Sequence, residues 1–157
     1  MKAKFLMTLA SFALAAQVGV AGAASENAFP GIEHVTTQLP VAEVESRLKD
    51  ALESKGLTLF TVIDHTQNAE KVDLQLPPTR TVIFGNPKAG TPLMQCQGST
   101  ALDLPQKMVL RETEEGTRIE WNDPAYLAER HGLQECDLPL DKITQILQDV
   151  AETAAGS

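Results

Sequence analysis

Residues 40–63 read PVAEVESRLKDALESKGLTLFTVI, and the change of period inside this stretch decides the fold class. Val41, Val44, Leu48, Ala51 and Leu52 fall on one helical stripe, with Glu43, Glu45, Arg47, Lys49 and Asp50 outside it. Pro40 suits the opening of a helix, and Gly56 suits the left-handed cap that stops one. Leu57 to Ile63 is dense in β-branched and aromatic residues and reads as a buried strand. A helix running straight into a strand of this kind predicts helices packed on a sheet.

The flanking sequence extends the pattern. Upstream, Ile32 to Gln38 reads as a short strand. Downstream, Asp64 to Glu70 is a polar short helix or loop, and Arg80 to Phe84 is another strand. Gly85 to Gly90 reads as a turn-rich loop, with Thr91 as N-cap of a short helix over Pro92 to Gln95. Met108 to Thr113 and Thr117 to Trp121 flank Glu114-Glu115-Gly116, a hairpin signal. Asp123-Pro124 pairs a helix N-cap with a first-turn proline, and Gly132 closes two helical turns. Leu140, Ile143, Ile146, Leu147 and Val150 mark one face of a last helix, Leu140 to Ala154. The expected architecture is α+β: two layers, a mainly antiparallel sheet with two longer helices packed on one face.

The N-terminus reads as an address. Lys2 and Lys4 precede an apolar run from Phe5 to Ala16, and Ala21-Gly22-Ala23 offers the small residues a signal peptidase reads. The expectation is a signal peptide over residues 1–23 and a single domain over 24–157, with its core at about 31–150. The alternative is a retained anchor, but Gln17 and two glycines weaken the last third of that span. Cleavage leaves no membrane span and places the protein in the periplasm or outside the cell. Cys96 and Cys136 then read as a disulfide. Two free thiols, or thiolate ligands of a metal, are the other readings.

Charge narrows the partners. The formal net charge is -8, and losing Lys2 and Lys4 with the leader moves it to −10. That balance argues against non-specific nucleic-acid binding and against docking on anionic lipid. A chain that is 43% hydrophobic is not disordered.

Polar residues concentrate in four segments: Asp64-His65, Gly85 to Pro92, Ala101 to Pro105, and Asn122 to Tyr126. The second carries most chemistry, since two glycines and a helix start can aim amides at an anion, and Lys88 adds a cation. It departs from a phosphate-binding P-loop, because Thr91 and not lysine follows Gly90. A tight loop packing its own backbone is the plainer reading. The leading functional expectation is a small-ligand-binding or accessory domain, not an enzyme, with a pocket of His65, Asn86, Lys88, Asp103, Asp123 and Tyr126 for a small anionic ligand. A second is a metal or haem accessory protein using His65, with Met94 or His131, although no ligand spacing is present. A third is an enzyme with His65 as general base and Lys88 as oxyanion partner. Ser99 follows Gly98 but lacks the glycine frame of an esterase elbow.

The chain resembles the bacterial and archaeal family catalogued as domain of unknown function 302. Ile63-Asp64-His65, the run from Phe84 through Gly85-Asn86-Pro87-Lys88-Ala89-Gly90-Thr91-Pro92 to Gln95, Ala101-Leu102-Asp103-Leu104-Pro105, and Asn122-Asp123-Pro124 through Tyr126 to Arg130-His131-Gly132-Leu133 carry the resemblance. It implies a compact α+β domain, often a homodimer, with no assigned activity or cofactor. Cys96, Cys136 and the leader depart from the family pattern and fit an exported, disulfide-bearing member.

Export makes a checkable statement about covalent structure. Intact mass of protein purified from the periplasm, alkylated with and without reductant, is expected to give a chain starting near Ala24 with no alkylation before reduction. Two alkylated thiols in the unreduced protein would refute the disulfide.

Overall fold

The computed structural model describes residues 29–157; the signal peptide expected over residues 1–23 lies outside them. Strand β1 (Ile32–Thr37), helix α1 (Val41–Ser54) and strand β2 (Thr58–Asp64) come first. Helix α2 (His65–Glu70), strand β3 (Thr79–Gly85) and helix α3 (Pro87–Cys96) follow. A 3-10 turn at Gly98–Leu102 leads into the hairpin of β4 (Gln106–Thr113) and β5 (Gly116–Asn122). Helix α4 (Pro124–His131), a second 3-10 turn and helix α5 (Leu140–Ala155) complete the chain. The five strands form one antiparallel sheet in the order β1-β5-β4-β3-β2. The architecture is the α+β one that the sequence pattern predicts.

Period-two alternation puts Val82, Phe84, Met108, Leu110, Ile119 and Trp121 on one sheet face, all buried. Helices α1 and α5 cover that face through Val44, Leu48, Leu52, Leu147, Val150, Ala151 and Ala154. Helix α5 crosses the sheet, and its last turn ties to β1 where Thr37 Oγ1 donates to the Ala155 carbonyl at 2.8 Å. The alternate residues of β4 and β5 carry charge: Arg111 holds Glu120 at 2.7 and 2.9 Å, and Arg118 reaches the same carboxylate at 2.9 Å.

Two local expectations are corrected. β2 is not a buried strand but a sheet edge, with Thr58 to Thr61 exposed and Phe60 half uncovered. Its apolar run has the composition of a core strand, but its pairing to β3 slips between Leu59 and Thr61, a bulge of the kind that sheet edges carry. The second concerns Gly85 to Gly90, which is not a loop: α3 already begins at Pro87. Asn86 caps it by accepting from the Lys88 amide at 2.9 Å, with Pro87 in the first turn. Asn86-Pro87 is thus the same device as Asp123-Pro124, where the Asp123 side chain accepts from the Ala125 amide at 2.9 Å. Gly90 and Pro92 masked it, because both usually punctuate helices and here both lie inside one.

Glu45 on α1 joins the layers. It is 8% exposed and pairs with Lys49 on its own helix and Arg80 on β3, which also reaches Asp64 at 3.3 Å. Burial alone would raise the Glu45 pKa, but Lys49 and Arg80 outweigh it and hold the carboxyl below its ordinary value. Glu120 is likewise held down, mainly by its hydrogen bonds from Arg111. Carboxyls with lowered folded pKa values contribute stability that is complete above the unfolded glutamate range and lost as pH falls through the folded values. Melting temperature is therefore expected to hold from neutral pH to about 5 and to drop below about pH 4. Glu45→Gln should flatten part of that acid limb, and Arg80→Ala should cost about 2 kcal/mol at neutral pH by leaving a buried carboxylate short of a partner. Denaturant melts across pH check both; an Arg80→Ala melt equal to wild type would remove Glu45 from the account.

Candidate functional site

The strand register sorts the six candidate residues. Thr58 pairs with Gly85, and Asp64 pairs with Arg80, so the start of β2 and the end of β3 share one end of the sheet. Gln106 opposite Phe84, and Trp121 opposite Met108, put the start of β4 and the end of β5 there too. Asn86, Lys88, Asp103, Asp123 and Tyr126 all follow or precede strands at this end. His65 follows Asp64 at the other, with the length of β2, roughly 20 Å, between. There its Nε2 meets Thr81 Oγ1 at 2.8 Å. His65 and Lys88 do not face one substrate, which removes the pairing of His65 as base with Lys88 as oxyanion partner.

The other five occupy separate settings at the shared end. Asn86 caps α3, and Lys88 is exposed on its first turn. The amides of Lys88, Ala89 and Gly90 are already taken by Asn86, through its side chain and its carbonyl. Asp123 caps α4, and the Tyr126 ring lies against the chain at Gly31, where φ is +75° and a Cβ would come within 2.2 Å of the ring. Asp103 turns toward α4: its carboxylate accepts from His131 Nε2 at 2.6 Å and lies 3.4 Å from Arg130. His131, a candidate ligand in the metal reading, also receives Ser99 at 2.9 Å on its Nδ1. His34 lies in the field of Glu120 and helps to lower its pKa.

The donors of the metal reading are dispersed as well. His65 and His131 belong to opposite ends of the sheet. Cys96 and Cys136 are bonded to each other, with Cα atoms 6.3 Å apart. Among the described residues, no group of three or more His, Cys, Asp or Glu side chains could hold a metal ion.

An apolar cleft of about 250 Å³, which the sequence reading missed, opens at this end. Its floor is Phe84 and Gly85. Phe60 of β2, Leu93 and Met94 of α3, and Ile143, Ile146 and Leu147 of α5 form its walls. Leu104 and Pro105, joined by a cis peptide, close another side, and Asn86, Thr91 and Gln106 supply polar atoms among the lining residues. Gly90 lines the cleft without positive φ; a Cβ there would meet Leu104 at an ordinary 3.7 Å. A side chain at Gly90 therefore meets no backbone strain. Sequence signals for the cleft existed in Phe60 and in the α5 stripe, but the stripe is longer than the sheet needs, and only the fold shows which residues overhang.

Comparison with known proteins adds the lineage. The crystal structure of an uncharacterized conserved protein DUF302 from Bacillus stearothermophilus superposes with a TM-score of 0.60 at 18% identity, covering 82% of this chain and 95% of that one. At that identity the likeness shows the fold alone. The fluoride-specific ion channel FluC 1 of Brucella suis biovar 1 is 42% identical over 130 residues, 80% of this chain and 50% of the channel. FluC 2 of Brucella melitensis biotype 1 is 42% identical over 130 residues, 47% of its own length. This chain thus spans about half the length of these curated relatives. The family model of DUF302, a domain of unknown function, matches residues 33–153, and the chain belongs to that family.

Proposed function

We propose that this chain is an exported binding domain that takes a small amphiphile into the cleft between α3 and α5. The carrying observation is the cleft itself: apolar walls beside a few polar groups at Asn86, Thr91 and Gln106, the make-up of a small-molecule site. Lys88, two residues beyond Asn86 and exposed, supplies the nearby cation, so the favoured ligand has an apolar body and an anionic head. The disulfide between Cys96 and Cys136 supports an oxidising compartment and anchors the end of α3, one wall of the cleft.

The curated relatives support an accessory role. An ion channel must span the bilayer with helices or a closed barrel. No helix among the described residues is long and apolar enough to cross a membrane. If the relatives' spanning helices lie in the half that this chain does not match, their DUF302 half stands beside a membrane protein as a binding companion.

Displacement of the neutral dye N-phenyl-1-naphthylamine tests the cleft. Decanoate is expected to compete better than decanol. Gly90→Leu, which fills the cleft from a helical position, should abolish dye binding while the protein still melts cooperatively. Gly90→Ala should bind and gain about 0.5–1 kcal/mol of stability from helix propensity. Lys88→Ala should change stability by no more than about 0.5 kcal/mol. It should also remove the preference for decanoate, up to roughly fivefold for an exposed charge. Equal dye binding by wild type and Gly90→Leu would overturn the proposal.

A further inference from the structure

We propose that Ser99, His131 and Asp103 form a nucleophilic triad that takes an acyl group from small esters at the domain surface. The residues come from two separate segments, the 3-10 turn before β4 and the end of α4, and the fold brings them into one line. Ser99 Oγ lies 2.9 Å from His131 Nδ1, and His131 Nε2 lies 2.6 Å from Asp103 Oδ2. Burial separates the nucleophile from its two partners. Ser99 is exposed, the His131 side chain is 4% exposed, and that of Asp103 is 14% exposed.

Hydrogen-bond logic fixes the tautomer. A carboxylate only accepts, so Nε2 carries the hydrogen that faces Asp103. Nδ1 is then left with its lone pair toward the Ser99 hydroxyl, the arrangement a general base needs. The two ring nitrogens are exchanged relative to the serine-protease arrangement, but one still donates to the carboxylate and the other still accepts from the nucleophile. Asp103 is steadied in turn. Lys107 Nζ donates to its backbone carbonyl at 2.7 Å, and Arg130 lies 3.4 Å from its carboxylate.

The chemistry balances with water as the only co-reactant. Ser99 Oγ bonds to the acyl carbon while its proton passes to His131 Nδ1. The ester C–O bond breaks, and His131 returns that proton to the departing oxygen. Water then adds to the acyl carbon, losing its proton to Nδ1; the bond from that carbon to Ser99 Oγ breaks, and Nδ1 returns the proton to Oγ as the acid leaves. The cavity beside Asp103 and His131 is about 10 Å³, no larger than one water needs. No acyl chain is swallowed there, so attack comes from the solvent side, and the substrates are esters of small acids with good leaving groups.

p-Nitrophenyl acetate with the intact, disulfide-bonded chain tests this. Peptide mapping is expected to find one acetyl group on Ser99, formed with a burst of p-nitrophenol. Ser99→Ala should melt like wild type and lose the burst. His131→Gln and Asp103→Asn should slow Ser99 acetylation by roughly 10²-fold, as loss of a positioned base does. The same reaction in urea serves as a control that needs no variant to fold, since acetylation of Ser99 should collapse on unfolding. Acetylation of Ser99 at equal rates in folded and unfolded protein, or a burst that survives in Ser99→Ala, would overturn the triad.

Discussion

One face of the sheet is buried, and among the described residues α1 and α5 are the helices that bury it. Val82, Phe84, Met108, Leu110, Ile119 and Trp121 form a continuous apolar surface across β3, β4 and β5. Neither α1 nor α5 is apolar all round, so each must lay its stripe on that surface and touch the other along one seam. Ala151 and Ala154, both fully buried, belong to that packing and let the backbones approach. Helix α5 cannot serve β1 and the β2–β3 corner equally. Its last turn bonds to β1, while Ile143 and Ile146 of its first turns are only partly covered. The apolar cleft is the geometric remainder of that crossing, and α3 closes it from the side.

The segment from Leu93 to Pro105 is held by a different set of forces. It packs on a second, smaller cluster in which Leu93, Ala128 and Leu133 are buried and Cys96, Leu104, Leu138 and Leu140 lean against them. The disulfide ties the end of α3 to the chain after α4, and the Asp103–His131 contact ties the intervening turn to α4 itself. In the chain-entropy model, a cross-link over a separation of 40 residues is worth about 4 kcal/mol, so covalent restraint here compares with the gain from burying two large side chains. A small cluster without that restraint would hold α3 loosely, and the cleft would lose its wall.

What the sequence carries and what it hides differ by range. α1, α4, α5 and the β4–β5 hairpin are legible because their signals are local: a stripe at period 3.6, a capping residue before proline, a glycine at a turn. The same local logic reads Asp123-Pro124 as a helix start, and it applies equally to Asn86-Pro87. There the glycine and proline that follow point the other way, and burial of Leu93 against the second cluster outweighs them. Strand β2 is misjudged for the opposite reason. Leu59, Phe60 and Val62 have the composition of a core strand, yet strand order, a property of the whole chain, makes β2 an edge. Site geometry is hidden in the same way. Ser99, Asp103 and His131 are all visible as single residues, but only the packing of α4 beside the 3-10 turn aligns them. His65 shares their polarity and sits at the far end of a strand.

The cleft and the serine line are neighbours without being one site. Leu93, Leu104, Gln106 and Ile143 belong to the walls of both the large cleft and the small cavity beside His131. Asn86, Gly90 and Phe60 border only the first; Asp103 and His131 border only the second. Leu104 therefore stands between them, with its flanking residues turned to opposite tasks: Asp103 toward α4, and Pro105 into the cleft. Two chemically unlike features are mechanically adjacent because one short segment, pinned by a disulfide on one side and by β4 on the other, has to serve both.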